Sequence, residues 1–381
     1  MEENQKPMGL YVHIPFCSKK CDYCDFVSYS MDRKAQQLYL EALFTEIDRV
    51  KRDFQDRVFN SLFIGGGTPS IVYEGFIASL ARKLFSSFHF EEKTEFTIEI
   101  NPSSFTREKF FEYVEAGVNR ISVGVQCLDS RLLANNGRIQ SVENVQETFE
   151  ILRDSRFLNV NGDVMIGLPG QSEQAVLDTI KFLTDHNVKH ISCYTLQIEK
   201  YTMLYNKIQK GKIAPMPEKQ VLHINEKVAK YLEKQGFKRY EISNYAKPCF
   251  ECNHNKKYWD GTDYLGLGTS AHSFVDGYRF YNTKRLDTYI DAMREGKSAT
   301  YKKEYISKAE RRTERIMLSL RTAEGLDLNQ FKQDFNEDLT VTRLSQIKKL
   351  KEINMLEEVD GFLRIPETKF NVSNSIIVEL L

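Results

Sequence analysis

Leu10-Tyr-Val-His-Ile14-Pro15-Phe16-Cys17-Ser-Lys-Lys-Cys21-Asp-Tyr-Cys24 is an apolar, strand-like run that delivers three cysteines onto one short loop. The spacing is C-x3-C-x2-C. Three thiolates placed this way hold three irons of a 4Fe–4S cluster and leave the fourth without a protein ligand. A centre built only to pass electrons takes four cysteines. A structural zinc site also takes four ligands and pairs its cysteines two by two. The loop therefore points to a cluster with one iron kept open.

Downstream, strand-like and helix-like periods alternate. Apolar, β-branched runs occur at Leu10–Ile14, Ser61–Ile64, Glu95–Ile100, Arg120–Val125, Val160–Ile166 and His190–Leu196. Helical periods separate them at Ala35–Arg52, Ile71–Phe85, Arg107–Ala116, Glu143–Arg153 and Glu173–His186. Such alternation predicts βαβ units on a parallel sheet, wound in one sense by right-handed crossovers. Six units fall short of a closed eight-fold barrel. The expected fold is α/β, an open (β/α)6 three-quarter barrel, with a doubly wound sheet as the alternative that periodicity leaves open.

Polar and glycine-rich residues gather where the strands end, which is where parallel α/β architectures build their sites. Gly65-Gly66-Gly67-Thr68-Pro69 follows the second strand, and Glu99-Ile-Asn101-Pro102 closes the third. Gln126 closes the fourth. Asp163 lies inside the fifth, with Gly167-Leu-Pro-Gly-Gln171 at its end. Each has a plain reading as a turn or a helix cap, and the glycine run is neither a Walker loop nor a dinucleotide fingerprint. Asp163 resists that reading, because a buried carboxylate needs a partner. Five such ends around an iron–sulfur loop point to a cofactor site. An open iron chelates the amino and carboxylate groups of S-adenosylmethionine, and one electron from the cluster then cleaves the sulfonium C–S bond to a 5′-deoxyadenosyl radical. The protein's part is to position the cofactor and exclude water. Backbone amides bared by glycines suit the methionine end, and carboxylates suit ribose hydroxyls.

The run Gly9–Cys24 resembles the signature of radical S-adenosylmethionine proteins related to the oxygen-independent coproporphyrinogen III oxidase. The resemblance extends from about Leu10 to the end of the chain and implies the radical SAM form of the partial barrel. Position by position, Tyr11, Gly66, Gly67, Thr68, Glu99, Gln126, Arg138 and Asp163 match residues that contact S-adenosylmethionine in that family. It places Gly66, Gly67 and Thr68 at the methionine end. Glu99, Gln126, Arg138 and Asp163 would share the carboxylate and ribose, and Tyr23 would lie near the adenine. Two departures separate the chain from the oxidase. Phe26 stands where the oxidase pattern has a further cysteine, and only about ten residues precede the first strand. Both features resemble the haem-chaperone branch of the family. So does Cys252-Asn-His254-Asn255-Lys-Lys-Tyr258-Trp259, which looks like that branch's H-N-x-x-Y-W element, and so does Tyr264–His272.

That segment has a chemistry of its own. His254 offers a neutral imidazole, a common axial ligand of haem iron. Tyr258 and Trp259, the only tryptophan, offer flat apolar faces, and Cys252 is a second potential ligand. The plain alternative has His254 and Asn255 bonding a loop and Trp259 filling core. Cys249, Cys252 and His254 could instead hold zinc, though no fourth ligand is near. His272 is a further candidate contact. Cys127 and Cys193 end apolar strands and read as small core residues.

From about Glu304 the pattern turns helical and charged, and two short strands, Leu356–Val359 and Phe362–Ile365, meet at Asp360-Gly361, a hairpin signal. This predicts a winged-helix-like α+β domain without a concentrated basic face, hence a lid or docking role, with Lys348, Lys349 and Lys351 on a solvated helix face. The expected division is a barrel with the cluster and cofactor sites over 1–215, a barrel-completing segment with the haem element over 216–300, and the C-terminal domain over 301–381. Lys+Arg and Asp+Glu balance at 53 each in 381 residues, which gives no pull toward nucleic acid. The polar opening Met1–Met8 lacks a signal-peptide core, no 18-residue apolar stretch occurs, and the seven cysteines show no secreted pattern. A cytoplasmic protein is expected. The resemblance implies haem as cargo and acceptor haemoproteins such as respiratory enzymes, which could be membrane-associated, as partners; a homodimer remains an option. The readings in competition are a haem chaperone, a coproporphyrinogen III oxidase, and a radical enzyme that opens or alkylates the haem ring. No residue is assigned a catalytic role.

Overall fold

A computed structural model describes residues 6–30 and 32–381; most of the polar lead-in, residues 1–5, lies outside them. Six parallel strands stand side by side in chain order: β1 (Met8–Ile14), β2 (Val58–Gly66), β3 (His89–Ile100), β4 (Arg120–Gln126), β5 (Val160–Ile166) and β6 (His190–Thr195). The reason is visible in their side chains. In β4, Ile121, Val123 and Val125 enter the core, while Arg120, Ser122, Gly124 and Gln126 line a cavity on the other face. In β5, Val160, Val164 and Ile166 enter the same core, whereas Asn161, Asp163 and Met165 face the cavity. Alternation of this kind gives the sheet one face for helices and one for a ligand. The (β/α)6 three-quarter barrel is the observed architecture.

Both ends of the parallel run are extended by later chain. Beyond β6 come the short antiparallel strands β8 (Asn244–Ala246) and β7 (Lys238–Arg239). On the other side β9 (Tyr264–Leu267) pairs parallel to β1, and β10 (His272–Val275), β11 (Tyr278–Asn282) and β12 (Thr300–Tyr305) follow antiparallel, completing a twelve-stranded sheet. The outer helices start on side-chain caps, such as Ser141 with Asn144 in a reciprocal capping pair.

Three local expectations are corrected. The helical period read from Ile71 opens instead on a short 3-10 turn, and the helix begins at Phe76 after Gly75, whose φ of 87° ends any continuous run. The stretch from Glu304 is still strand through Tyr305; the helix starts at Lys308 behind its Ser307 cap. The C-terminal hairpin, β14 (Glu357–Val359) and β15 (Phe362–Arg364), gains an unforeseen third strand, β13 (Leu326–Asp327). Ile316, Leu326, Phe331, Leu350, Leu363 and Ile377 form a core separate from that of the barrel. Lys348, Lys349 and Lys351 face solvent.

Candidate functional site

The cysteine loop is fastened at several points. The Cys17 amide donates to Tyr29 O at 3.0 Å, the Asp22 amide to Asn136 O at 3.0 Å, and Leu204 N to Asp22 O at 2.7 Å. Arg138, half-buried, braces it. Its Nη1 donates to Tyr23 Oη at 3.1 Å and approaches Cys21 Sγ at 3.9 Å, while Nη2 donates to Gly124 O at 3.0 Å. Cys17 Sγ lies 3.4 Å from Thr68 Oγ1. All three cysteines line one cavity of about 730 Å³. Among the described residues no three Cys, His, Asp or Glu side chains gather closely enough for a single ion. Burial raises the Cys17 thiol and pushes Cys24 up to about 11, so loading iron must displace protons from these thiols.

The cavity also collects Tyr11, Tyr23, Gly66, Gly67, Thr68, Glu99, Gln126, Arg138 and Asp163. Gly66 has φ 114°, and a Cβ there would stand 2.5 Å from His13 Nδ1; at Gly67 it would stand 2.6 Å from Phe16 O. The amides of these glycines are engaged, Gly66 N donating to Glu99 Oε2 at 3.1 Å and Gly67 N to Ile14 O at 2.8 Å. What they supply is space rather than the free amides expected from sequence. Gln126 sits at a register break in β4 with φ 60°, in the left-handed region that non-glycine residues adopt only now and then. Its buried Oε1 has no hydrogen-bond partner among the described residues. Asp163 accepts from Ser122 Oγ at 3.0 Å and Asn161 Nδ2 at 2.8 Å. Glu99 is pushed up to about 7, first by burial and then by Asp163; burial also raises Asp163. Tyr11 Oη meets His13 Nδ1 at 3.1 Å. An orphaned acceptor, two half-buried carboxylates, a cleared floor and three thiols on one rim fit a 4Fe–4S cluster with S-adenosylmethionine beside it.

His254 reaches the same cavity from the helix Asn253–Asp260. Glu95 of β3 caps that helix, its Oε2 accepting from Asn253 N at 2.9 Å and its Oε1 from His254 N at 3.1 Å. The imidazole is buried, with Nδ1 2.9 Å from Ser61 Oγ and Nε2 2.9 Å from Tyr258 Oη. Burial lowers it to about 3, so it stays neutral. Tyr258 lines the cavity with Asn255, whereas Trp259 is half-buried outside the lining. Cys252 is buried against Glu95, and Cys249 is exposed. His272 is exposed and stacks on Tyr281, centroids 4.8 Å apart, away from the cavity. Cys127 and Cys193 are core residues.

Several cavity residues were passed over in the sequence: Arg120, Ser122, Asn161, Ser192 and Tyr194. The signal was present. Each is a polar or aromatic residue on the alternate positions of an apolar strand.

Residues 11–183 match the Radical SAM superfamily, and residues 306–368 match the HemN C-terminal domain. The fold is similar to that of coproporphyrinogen III oxidase (HemN) from Escherichia coli, with a TM-score of 0.86 and 23% identity, over 99% of this chain and 90% of that one. Among curated relatives, the haem chaperone HemW of Lactococcus lactis is 29% identical over 99% of this chain and 98% of its own length. HemW of Bacillus subtilis is 34% identical over 92% of this chain and 93% of its own length. With that identity across nearly the whole of both sequences, the chain belongs to the HemW family within the radical SAM superfamily.

Proposed function

We propose that this protein is a haem chaperone that takes up haem beside a 4Fe–4S cluster and S-adenosylmethionine and passes it to an acceptor haemoprotein. The observation that carries the reading is the 34% identity to a protein named a haem chaperone, across 93% of that protein. The 23% likeness to the oxidase speaks for the fold alone. Phe26 adds support: at the rim of the cavity, 67% exposed, it puts an apolar face where the oxidase pattern has sulfur.

Cys17, Cys21 and Cys24 are assigned to the cluster. When bound, cluster and S-adenosylmethionine supply one-electron cleavage of a sulfonium C–S bond. The chain's own residues position and shield. Gly66 and Gly67 clear the methionine end beside Thr68, and the free Gln126 acceptor with Glu99 and Asp163 faces the amine and hydroxyl donors. Arg138 fixes the loop, while Tyr11 and Tyr23 close the walls. His254, Tyr258 and Trp259 are assigned to haem. A neutral imidazole whose Nδ1 is fixed by Ser61 can offer Nε2 to iron by giving up Tyr258; Trp259 would contribute from the helix's outer side. The domain reading is 1–215, 216–300 and 301–381; the barrel sheet runs on through β12 to Tyr305, and the core of the last unit begins at Ile316. Among the described residues no helix is long and apolar enough to cross a membrane. A cytoplasmic protein serving respiratory haemoproteins at the membrane, alone or as a dimer, is the setting we propose.

The test is anaerobic cluster reconstitution followed by haem titration, read at the Soret band with and without S-adenosylmethionine, then transfer to an apo-haemoprotein. Stoichiometric uptake and transfer are expected. No uptake, or sustained protoporphyrinogen formation from coproporphyrinogen III with reductant and S-adenosylmethionine, sinks the reading.

A further inference from the structure

Arg120 opens β4, and its side chain is 2% exposed. Its buried Nε has no hydrogen-bond partner among the described residues. The nearby carboxylates are turned elsewhere. Glu95 spends its oxygens on the helix amides of Asn253 and His254 and on Cys252. Asp163 spends its own on Ser122 and Asn161. A guanidinium carries five donors and never loses its charge at ordinary pH. Glu95 and Asp163 are near enough to favour its charge, yet neither makes a direct ion pair with it, and a buried guanidinium left so is costly unless something anionic meets it. It lines the same cavity as the cluster cysteines, among Tyr11, Phe63, Tyr194, His254 and Tyr258.

We infer that Arg120 is the anchor for an organic carboxylate at the floor of the barrel, and that this carboxylate is a propionate of the tetrapyrrole cargo. The inference rests on the haem-chaperone reading. Two carboxylates could arrive here, a propionate or the methionine carboxylate of S-adenosylmethionine. Position favours the propionate. Arg120 is the first residue of β4 and Gln126 the last, six steps nearer the cluster loop, and six steps span about 20 Å of strand. A methionine carboxylate bound at the open iron would lie toward the Gln126 end, beside the cluster loop. The aromatic side chains that share the cavity suit a flat ring whose acid arms point down, and a planar fork matches a carboxylate with two parallel hydrogen bonds.

The test uses full-length, cluster-reconstituted protein and three probes: haem, haem dimethyl ester and S-adenosylmethionine. Wild type should bind the diester roughly ten- to a hundredfold more weakly than haem, as expected for loss of charge-assisted bonds. Arg120→Met should weaken haem by the same factor without weakening the diester or S-adenosylmethionine further, and Arg120→Lys should restore part of the loss. The wild-type comparison of acid and ester stands even if the variant folds poorly. Equal affinity of wild type for acid and ester overturns the assignment. So does Arg120→Met that keeps its haem affinity, or that loses S-adenosylmethionine alone, which would hand the anchor to the methionine carboxylate. A wild type that takes up no haem in any form removes the chaperone reading itself, a failure distinct from the others.

Discussion

Glu99 is held near its titration point by the cavity around it. Burial and Asp163 push it up to about 7 against the pull of the Gly66 amide. Its carboxylate form faces a site meant for a sulfonium cation and hydroxyl donors, so affinity for S-adenosylmethionine should climb from about pH 6 to about pH 8. Calorimetric titration across that window should show the climb in wild type and a flat, weak profile in Glu99→Gln. Stability runs the other way. A carboxyl raised by folding stabilises below its ordinary range, and that contribution fades as pH rises through about 7. Ligand-free wild type should therefore melt lower at about pH 8 than at about pH 6, and Glu99→Gln should narrow the gap. Gly67 sets a steric rather than an electrical limit. A methyl there would press on the Phe16 carbonyl at 2.6 Å, backbone that cannot step aside. Gly67→Ala should cost about 1–3 kcal/mol by denaturant titration and lower cluster loading on reconstitution.

At the scale of elements, the junction of β3 with the helix Asn253–Asp260 ties the haem candidate to the barrel. Glu95 satisfies two first-turn amides of that helix. Glu95→Ala should lower stability by about 1–3 kcal/mol, the range for a lost cap on a buried helix start. A shift of His254 resonances in NMR should accompany it; unchanged resonances would show that the cap does not place the ring. Much of this level was legible. The six parallel strands announce themselves through β-branched runs, and the cluster loop through its cysteine spacing. The strands β9–β12 did not, because Leu265-Gly-Leu-Gly-Thr reads as a loop, and Thr300–Tyr305, exposed along its length, shows no alternation. Arg120 escaped notice because an arginine at a strand start usually reaches solvent. The partners of His254 could not be read at all. Ser61 lies 193 positions away, and only the closing of the sheet brings it near.

For the whole molecule, the two large hydrophobic cores, beside a small cluster of Cys127, Leu132, Leu133 and Leu168, mean two cooperative units. They meet at a seam that includes the Glu241–Thr322 bridge, the two-bond Arg279–Glu314 ion pair and Arg239 over the Phe370 ring at 4.9 Å. Leu363 is fully buried in the smaller core. Leu363→Ala should cost about 2–5 kcal/mol there. Calorimetry should show an early transition split from that of the barrel, with haem and cluster content per barrel unchanged; a single transition that shifts as a whole would mean the seam couples the two units fully. The sheet's two ends carry a different consequence. β7 is two residues long, and β12, at the opposite end, sets Lys302 and Lys303 along its outer line, the latter 4.4 Å from the Tyr278 ring. Charged, short borders are how natural sheets avoid recruiting foreign strands. A twelve-stranded sheet with bare backbone at both margins would invite edge-to-edge pairing; here the short and charged borders discourage self-association through strand exchange.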